Sequence, residues 1–95
     1  MSGFEKVFIV QAHYCADAVN ARAPHREAHV SRAVELQAAG TVVLAGAFED
    51  LSGSLVIYRA ADEAAVREIV ESDVYWREGV WVDYEVRPCN IIAED

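Results

Sequence analysis

The fold of this chain is most constrained by the order of six segments with strand-like or helix-like hydrophobic patterns. That order is strand, helix, strand, strand, helix, strand. The strands are predicted at Glu5–Tyr14, Thr41–Phe48, Ser54–Arg59 and Val80–Arg87, and the helices at Pro24–Ala39 and Glu63–Ser72. This βαββαβ order is that of the ferredoxin-like, or split βαβ, arrangement. We therefore expect an α+β fold in which both helices cover one face of an antiparallel sheet.

The ends of the two helices carry recognisable signals. Pro24 suits the first turn of a helix, where its missing N–H is not needed, and Cys15–Ala23 before it is predicted as an irregular connection. Gly40 follows the first helix, at the position where a glycine commonly ends one. Asp62 is a favourable N-cap for the second helix.

The strand predictions depend on apolar runs and turn signals. Val7–Val10 is continuously apolar, as expected for a strand covered on both faces. Glu49–Gly53 is a turn that joins the second and third strands into a hairpin. The last strand alternates apolar with more polar residues, its apolar positions being Val80, Val82, Tyr84 and Val86. Pro88 is predicted to end that strand and leave Cys89–Asp95 as a short tail.

The charge balance excludes two classes of partner. The chain of 95 residues has 16 acidic and 8 basic residues and a formal net charge of −8, whereas nucleic acids and anionic membranes select basic surfaces. No apolar run approaches the roughly 20 residues of a membrane span, and the first residues lack the pattern of a secretory signal. We therefore expect a cytoplasmic protein in which Cys15 and Cys89 are free thiols.

One domain over residues 1–95 is expected, because the sequence contains no repeat, low-complexity segment or linker. A chain this short buries only about 60–65% of its unfolded surface, and the predicted strands have apolar residues on both faces. A second copy packed on the open face of the sheet would cover them, so we expect a homodimer.

Polar interruptions of the two apolar helix stripes mark a candidate site. At about 100° per residue, Arg26 and His29 fall within the stripe of the first helix, near its N-terminal end. Asp73 lies seven residues after Val66 and continues the stripe of the second helix at its C-terminal end. In the predicted topology both helix ends lie at one rim of the sheet, so His29 and Asp73 are expected to meet there.

The chemistry of this rim suits proton transfer. An aspartate that accepts a ring N–H fixes the tautomer of a histidine and raises its basicity, and a positioned general base typically contributes about 10²–10⁴-fold to a rate. Arg22 and Arg26 would bind a carboxylate or enolate of a substrate. Tyr75 and Trp76 would form an apolar wall, and Phe48 reaches the same rim from the hairpin turn.

The same residues also have structural interpretations. A histidine–aspartate contact between two helix ends is a common structural staple, and tryptophans suit a core or a dimer interface. His25 and His29, four residues apart, are the one pair of histidines with a metal-ligand spacing. Neither a metal nor another cofactor is expected.

Short motifs occur along the chain in a characteristic order: Arg22-x-x-x-Arg26-x-x-His29, Ala39-Gly40, Ala45-Gly46, Gly53-Ser54, Asp73-x-Tyr75, Gly79 and Val86-x-Pro88. With this order and spacing the chain resembles the YciI-like (YCII-related domain) family from Val7 to Pro88. The resemblance implies a ferredoxin-like α+β fold, a dimer built by sheet packing and a histidine–aspartate active site, which maps onto His29 and Asp73. One branch of the family is similar to enzymes that eliminate chloride from a hydroxyquinone, and the fold is related to that of muconolactone isomerase.

Three residues depart from the family pattern. Val74 and Ala47 stand where proline is usual, and Cys89 stands where tryptophan is common. The absence of a proline at Val74 is expected to loosen the loop that aims Asp73.

The resulting hypothesis is a lyase or isomerase that acts on a small anionic or cyclic substrate, with chemistry similar to that of a dehydrochlorinase or of muconolactone isomerase. His29 and Asp73 would carry out the proton transfer without a cofactor. The alternatives are a non-catalytic module that binds a small ligand and a structural dimeric domain.

Overall fold

The computed structural model describes residues 3–93, which form four strands and four helices. Residues 1, 2, 94 and 95, at the ends of the predicted domain and of the predicted tail, lie outside the described residues. The strands are β1 (Phe4–Tyr14), β2 (Val42–Ala47), β3 (Gly53–Tyr58) and β4 (Trp81–Ile92). The helices are α1 (Ala18–Arg22), α2 (Arg26–Ala38), α3 (Glu63–Glu71) and α4 (Val74–Arg77), and a 3₁₀ turn (Ala23–His25) joins α1 to α2. No helix among the described residues is long and apolar enough to cross a membrane.

The strands form one antiparallel sheet in the order β2-β3-β1-β4. Side chains alternate between the two faces of a strand, and on one face Phe8 and Val10 of β1 pack with Val56 of β3. Val66 and Val70 of α3 complete this core from the helical layer. The prediction of an α+β fold built on a four-stranded antiparallel sheet is therefore confirmed.

The opposite face of the sheet, called the open face below, carries both apolar and polar side chains. Ile9 on β1 and Leu55 and Ile57 on β3 point to this side and are half-buried. Towards one end of the open face, His13 on β1 lies directly opposite Asp83 on β4.

The chain becomes helical earlier than predicted. Cys15–Ala23 is not an irregular connection, because it contains α1. Pro24 lies in the 3₁₀ turn, where the missing proline N–H interrupts the regular hydrogen bonding, and α-helix resumes at Arg26. Gly40 follows α2 with a φ of +83°, a conformation that favours glycine, so the predicted helix end is confirmed to within one or two residues.

The second helix begins as predicted but a further helix follows it. The side chain of Asp62 accepts a hydrogen bond from the backbone N–H of Ala65 at 2.9 Å, which confirms its role as the N-cap of α3. The short helix α4 was not expected from the sequence, since four residues are too few for a recognisable period.

The last strand has a bulge that the predicted alternation misses. Tyr14 pairs with Trp81 and His13 with Asp83, so Val82 has no partner on β1. Val82 is consequently exposed, which departs from the predicted alternation, whereas Trp81 is buried, which agrees with the expectation that tryptophans suit a core.

The same strand also continues past the predicted end at Pro88 and reaches Ile92, so Cys89 and Asn90 belong to β4 rather than to a tail. The sheet order places β4 at an edge. A proline is tolerated on an edge strand, because its missing N–H leaves no partner strand without a hydrogen bond.

Candidate functional site

A histidine and an aspartate meet at one rim of the sheet. His29 lies near the start of α2, and Asp73 lies between the end of α3 and the start of α4. Nδ1 of His29 is 2.8 Å from Oδ1 of Asp73, and both side chains are largely shielded from solvent. The contact expected from the topology is therefore observed.

The Asp73 carboxylate is held by several donors at once. Oδ1 also accepts the backbone N–H of Tyr75 at 2.9 Å, which makes Asp73 the N-cap of α4. Oδ2 accepts a hydrogen bond from Nη1 of Arg32 at 3.1 Å. Nη2 of Arg32 in turn donates to the Ser72 hydroxyl at 2.8 Å and to the backbone carbonyl of Ile69 at 3.1 Å. The guanidinium thereby joins α2 to the end of α3.

These contacts keep Asp73 ionised. Burial on its own would raise the pKa of this carboxyl, because a low dielectric disfavours the charged form. The hydrogen bonds from His29 and from the Tyr75 N–H, together with the positive charge of Arg32, outweigh burial and hold the pKa of Asp73 below its usual range. Asp73 is thus a charged acceptor for the imidazole at neutral pH.

Aromatic rings fix the plane of the His29 imidazole. The Tyr75 ring stacks on it, with centroids 3.7 Å apart and planes 7° from parallel. Trp81 meets the imidazole edge-on at 5.2 Å, and its own indole N–H donates to the Ser54 hydroxyl at 2.9 Å. The hydrogen bond to Asp73 and these two rings together define both the position and the orientation of the imidazole.

The second imidazole nitrogen is open. Nε2 of His29 has no hydrogen-bond partner among residues 3–93. In the same part of the chain, no buried side-chain nitrogen or oxygen lacks a partner. Nε2 therefore faces accessible space, and the accessible space that His29 borders is a cavity between α2 and the sheet.

This cavity has a volume of about 260 Å³. Its polar lining residues are Tyr14, Arg22, Arg26, His29, Gln37, Ser54 and Tyr75. Its apolar lining comes from α2, β2 and β3 and consists of Val30, Ala33, Val34, Val42, Ala45, Gly46, Ala47 and Val56. The cavity thus combines an open imidazole, cationic side chains and an apolar wall, the combination typical of small-molecule sites.

Two arginines give the cavity a positive end. Neither Arg22 nor Arg26 forms an ion pair with an acidic side chain of the described residues. Burial raises the pKa of the Tyr75 phenol, Tyr14 and Asp73 add to that rise, and the two arginines oppose it. The phenol consequently stays protonated at neutral pH and can donate a hydrogen bond.

Two of the residues predicted to contact a substrate lie elsewhere. Trp76 does not line the cavity and packs edge-on against Tyr84, with ring centroids 5.2 Å apart, because consecutive residues of α4 point in different directions. Phe48 lies on the hairpin turn, beside a separate shallow depression. Arg22, Arg26, His29 and Tyr75 do line the cavity.

One residue that supports the site, Arg32, was not predicted from the sequence. Arg32 follows His29 by three residues and therefore shares its helix face, which is a signal that could have identified it.

The loop before Val74 was expected to be loosened by the absence of a proline. Asp73 in that loop is instead fixed by donors from α2 and α4.

The other histidine of the same helical region is not part of the site. Nε2 of His25 lies 3.9 Å from a carboxylate oxygen of Glu78. Among residues 3–93, no three histidine, cysteine, aspartate or glutamate side chains lie close enough together to hold a metal ion.

Comparison with known proteins finds a matching family and a similar solved structure. The sequence model described as YCII-related domain matches residues 7–90. The structure of 5-chloro-2-hydroxyhydroquinone dehydrochlorinase from Burkholderia phenoliruptrix AC1100, in complex with 2,5-dihydroxybenzoquinone, has the same fold with a TM-score of 0.75. That similarity covers 85% of this chain and 90% of the neighbour at 20% identity. No curated protein matches the sequence.

Proposed function

The chain belongs to the YCII-related domain family, and on that basis we propose that it is a lyase or isomerase that moves a proton on a small anionic, cyclic substrate without a cofactor. His29 is the general acid/base, and Asp73 orients it. The observation that carries this proposal is the open Nε2 of His29, which borders the cavity while Nδ1 is bound to an ionised carboxylate.

The proposed reaction begins with transfer of a substrate proton to Nε2 of His29. Asp73 stabilises the imidazolium that forms, because its charge faces the Nδ1–H at hydrogen-bonding distance. The electron pair left on the substrate then either expels an anion such as chloride, which is elimination, or takes the proton back at another carbon, which is isomerisation. Both outcomes balance without an oxidant or reductant.

The positive end of the cavity suits the charge that develops in such a reaction. Arg22 and Arg26 have no acidic partner among residues 3–93, so their guanidinium groups are available to an enolate or phenolate oxygen. The protonated Tyr75 hydroxyl offers another donor beside them. These groups favour an anion over a neutral substrate.

The structural neighbour supports the proposed substrate class. It is described as a dehydrochlorinase and is bound to a dihydroxylated quinone, whose acidic hydroxyl groups make it a small cyclic anion. At 20% identity the shared fold alone does not transfer the reaction, and the reaction proposed for this chain rests on its own histidine–aspartate pair and cavity.

A ferredoxin-like homodimer is part of the proposal. The sheet order β2-β3-β1-β4 supports the ferredoxin-like arrangement. The half-buried Ile9, Leu55 and Ile57 on the open face support sheet-to-sheet packing of two copies, because such packing would remove their apolar surface from water.

The test is chloride release from 5-chloro-2-hydroxyhydroquinone by the wild type, His29→Asn and His25→Asn. Asparagine keeps an N–H for Asp73 and deletes the Nε2 base, so we expect His29→Asn to lower the rate by about 10²–10⁴-fold. His25→Asn is the matched control, because His25 does not line the cavity, and it should keep the rate within about twofold.

An equally active His29→Asn variant would refute the assigned role of the histidine. Saturable binding of 2,5-dihydroxybenzoquinone without turnover of the chlorinated compound would favour a ligand-binding module instead. If the protein shows no binding and no turnover, the result would favour a structural domain in which the pair is a staple.

A further inference from the structure

The cavity is a trough that follows α2, and its two ends differ in chemistry. α2 and β2 are joined by residues 39–41 and therefore run in opposite directions, so the start of β2 lies beside the end of α2. Arg26 and Gln37, which both line the cavity, are eleven residues apart on α2, which corresponds to about 16 Å along the helix axis. The trough thus extends well beyond the imidazole.

The charged lining residues are at one end. Arg22 and Arg26 lie beside His29 where α2 begins, and the residues that line the trough farther along α2 and at the start of β2 are uncharged. In a chain with only 8 basic residues against 16 acidic ones, two arginines that form no ion pair with residues 3–93 give one end of the cavity a local excess of positive charge.

Beyond the arginines and the imidazole the lining is mainly apolar and includes small side chains. Val30 and Val34 of α2 keep 43% and 58% of their surface exposed, although they lie on the apolar stripe of the helix. Ala45 of β2 pairs with Val56 and points towards the helical layer across the trough, between Val42 at the far end and Ala47, which pairs with Ser54 nearer the imidazole. A larger residue at Ala45 would narrow the trough.

The volume also exceeds what a single ring needs. An apolar cavity of about 150 Å³ accommodates one benzene molecule, whereas this one measures about 260 Å³. A ring bound between the arginines and the imidazole would leave the space beside Val34 and Ala45 unfilled.

We propose that the ligand of this site is an amphiphilic cyclic anion: its charged ring lies at Arg22, Arg26 and His29, and an apolar substituent of a few carbons lies along Val34 and Ala45. The placement of the ring rests on the proposed function, whereas the substituent is a further requirement. The charge at one end and the apolar surface at the other select a small amphiphile over a protein segment, which would need an extended surface rather than a trough of this size.

The test compares the affinities of 2,5-dihydroxybenzoquinone and its 3-butyl derivative for the wild-type protein by isothermal titration calorimetry. Each buried methylene raises affinity about fourfold, so we expect the butyl compound to bind at least tenfold more tightly. In Ala45→Leu the added side chain occupies the trough, and the ratio of the two dissociation constants should fall towards one. Ala64→Leu, on the exposed side of α3, is the matched control and should keep the wild-type ratio.

Several results would overturn the proposal. Equal or weaker binding of the butyl compound by the wild type would refute the proposed apolar substituent. It would not contradict the role of His29, which the chloride assay tests separately. An unchanged ratio in Ala45→Leu would place the substituent elsewhere. Failure of both compounds to bind would refute the charged-ring assignment and with it the substrate class. A shift of Ala45→Leu to a smaller oligomer, without any alkyl preference in the wild type, would identify a second copy as the occupant.

Discussion

Among residues 3–93 the structure has two histidine–aspartate pairs, one on each face of the sheet, and they differ in exposure and in the groups that surround them. His13 and Asp83 are cross-strand neighbours on the open face, in contact through Nδ1 and Oδ1, with side chains 49% and 69% exposed. His29 and Asp73 are brought together by α2 and the junction of α3 with α4, with side chains 17% and 7% exposed.

The surroundings of the second pair account for the difference. Water competes for both groups of an exposed pair and screens their charges, so such a pair contributes little to stability. The enclosed Asp73 has two further donors, Arg32 and the Tyr75 N–H, and the enclosed imidazole lies between aromatic rings. A pair becomes a candidate catalytic group when its environment fixes one nitrogen and leaves the other open, and His29 meets both conditions.

The largest expected contrast is in stability. Asp73→Ala removes the cap of α4 and leaves the partly buried Arg32 without its carboxylate, so we expect a loss of about 2–4 kcal/mol in the free energy of unfolding. Asp83→Ala should cost at most about 0.5 kcal/mol. Urea denaturation measures both, provided that the m-values agree with the wild type. Equal losses would mean that enclosure adds nothing to the pair.

A smaller contrast isolates the arginine behind the pair. Arg32→Gln removes a charge that contacts Asp73, Ser72 and Ile69, and we expect it to cost about 1–2 kcal/mol. Arg67→Gln is the matched control, because Arg67 forms an exposed pair with Glu63 one helical turn away and its loss should cost clearly less.

The double variant Arg32→Gln/Asp73→Ala should be less destabilised than the sum of the two single variants, since either substitution already breaks the same contact. Strict additivity in urea denaturation would show that Arg32 and Asp73 are not energetically coupled. Arg32 would then be a staple between α2 and α3 only.

The enclosed pair was predictable from the sequence because it depends on coarse features. The helix period placed His29 and Asp73 on inward-facing stripes, and the order of elements placed the two helix ends at one rim. Neither inference requires exact boundaries, so the errors at Pro24 and Pro88 did not affect it.

The remaining details depend on three-dimensional geometry that periodicity does not encode. The bulge at Val82 reverses the side-chain phase of β4 and buries Trp81 against the imidazole. The short helix α4 separates Tyr75 from Trp76 and sends only Tyr75 to the cavity. The contact of His13 with Asp83 likewise follows from the register of β1 and β4, which the sequence leaves open.

The pH dependence of stability offers a further way to compare the pairs. Because the folded state holds the pKa of Asp73 below its ordinary value of about 3.9, the unfolded chain binds more protons between the two values. Stability from this group is therefore present above the unfolded pKa and is lost as the pH falls through the folded one.

Urea midpoints measured from about pH 6 down to pH 3 should therefore decline less steeply in Asp73→Asn than in the wild type. Asp83→Asn, which removes a carboxylate from the exposed pair, is the control measured beside it. A profile of Asp73→Asn that parallels the wild type would contradict the stabilisation of ionised Asp73 by its neighbours.

The smallest contrast concerns which imidazole nitrogen carries the proton in the neutral ring. Asp73 accepts from Nδ1, so His29 should exist as the Nδ1–H tautomer, with Nε2 unprotonated and directed to the cavity. Two-dimensional ¹H–¹⁵N spectra that correlate ring nitrogens with ring carbon-bound protons distinguish the tautomers. In Asp73→Asn the preference should weaken, since the neutral amide oxygen is a poorer acceptor than a carboxylate.

At His13, where water competes for the ring, added salt should change the tautomer ratio, whereas His29 should respond little. A predominant Nε2–H tautomer at His29 would direct a donor rather than a base into the cavity, and proton abstraction by the neutral ring could not then begin at that nitrogen.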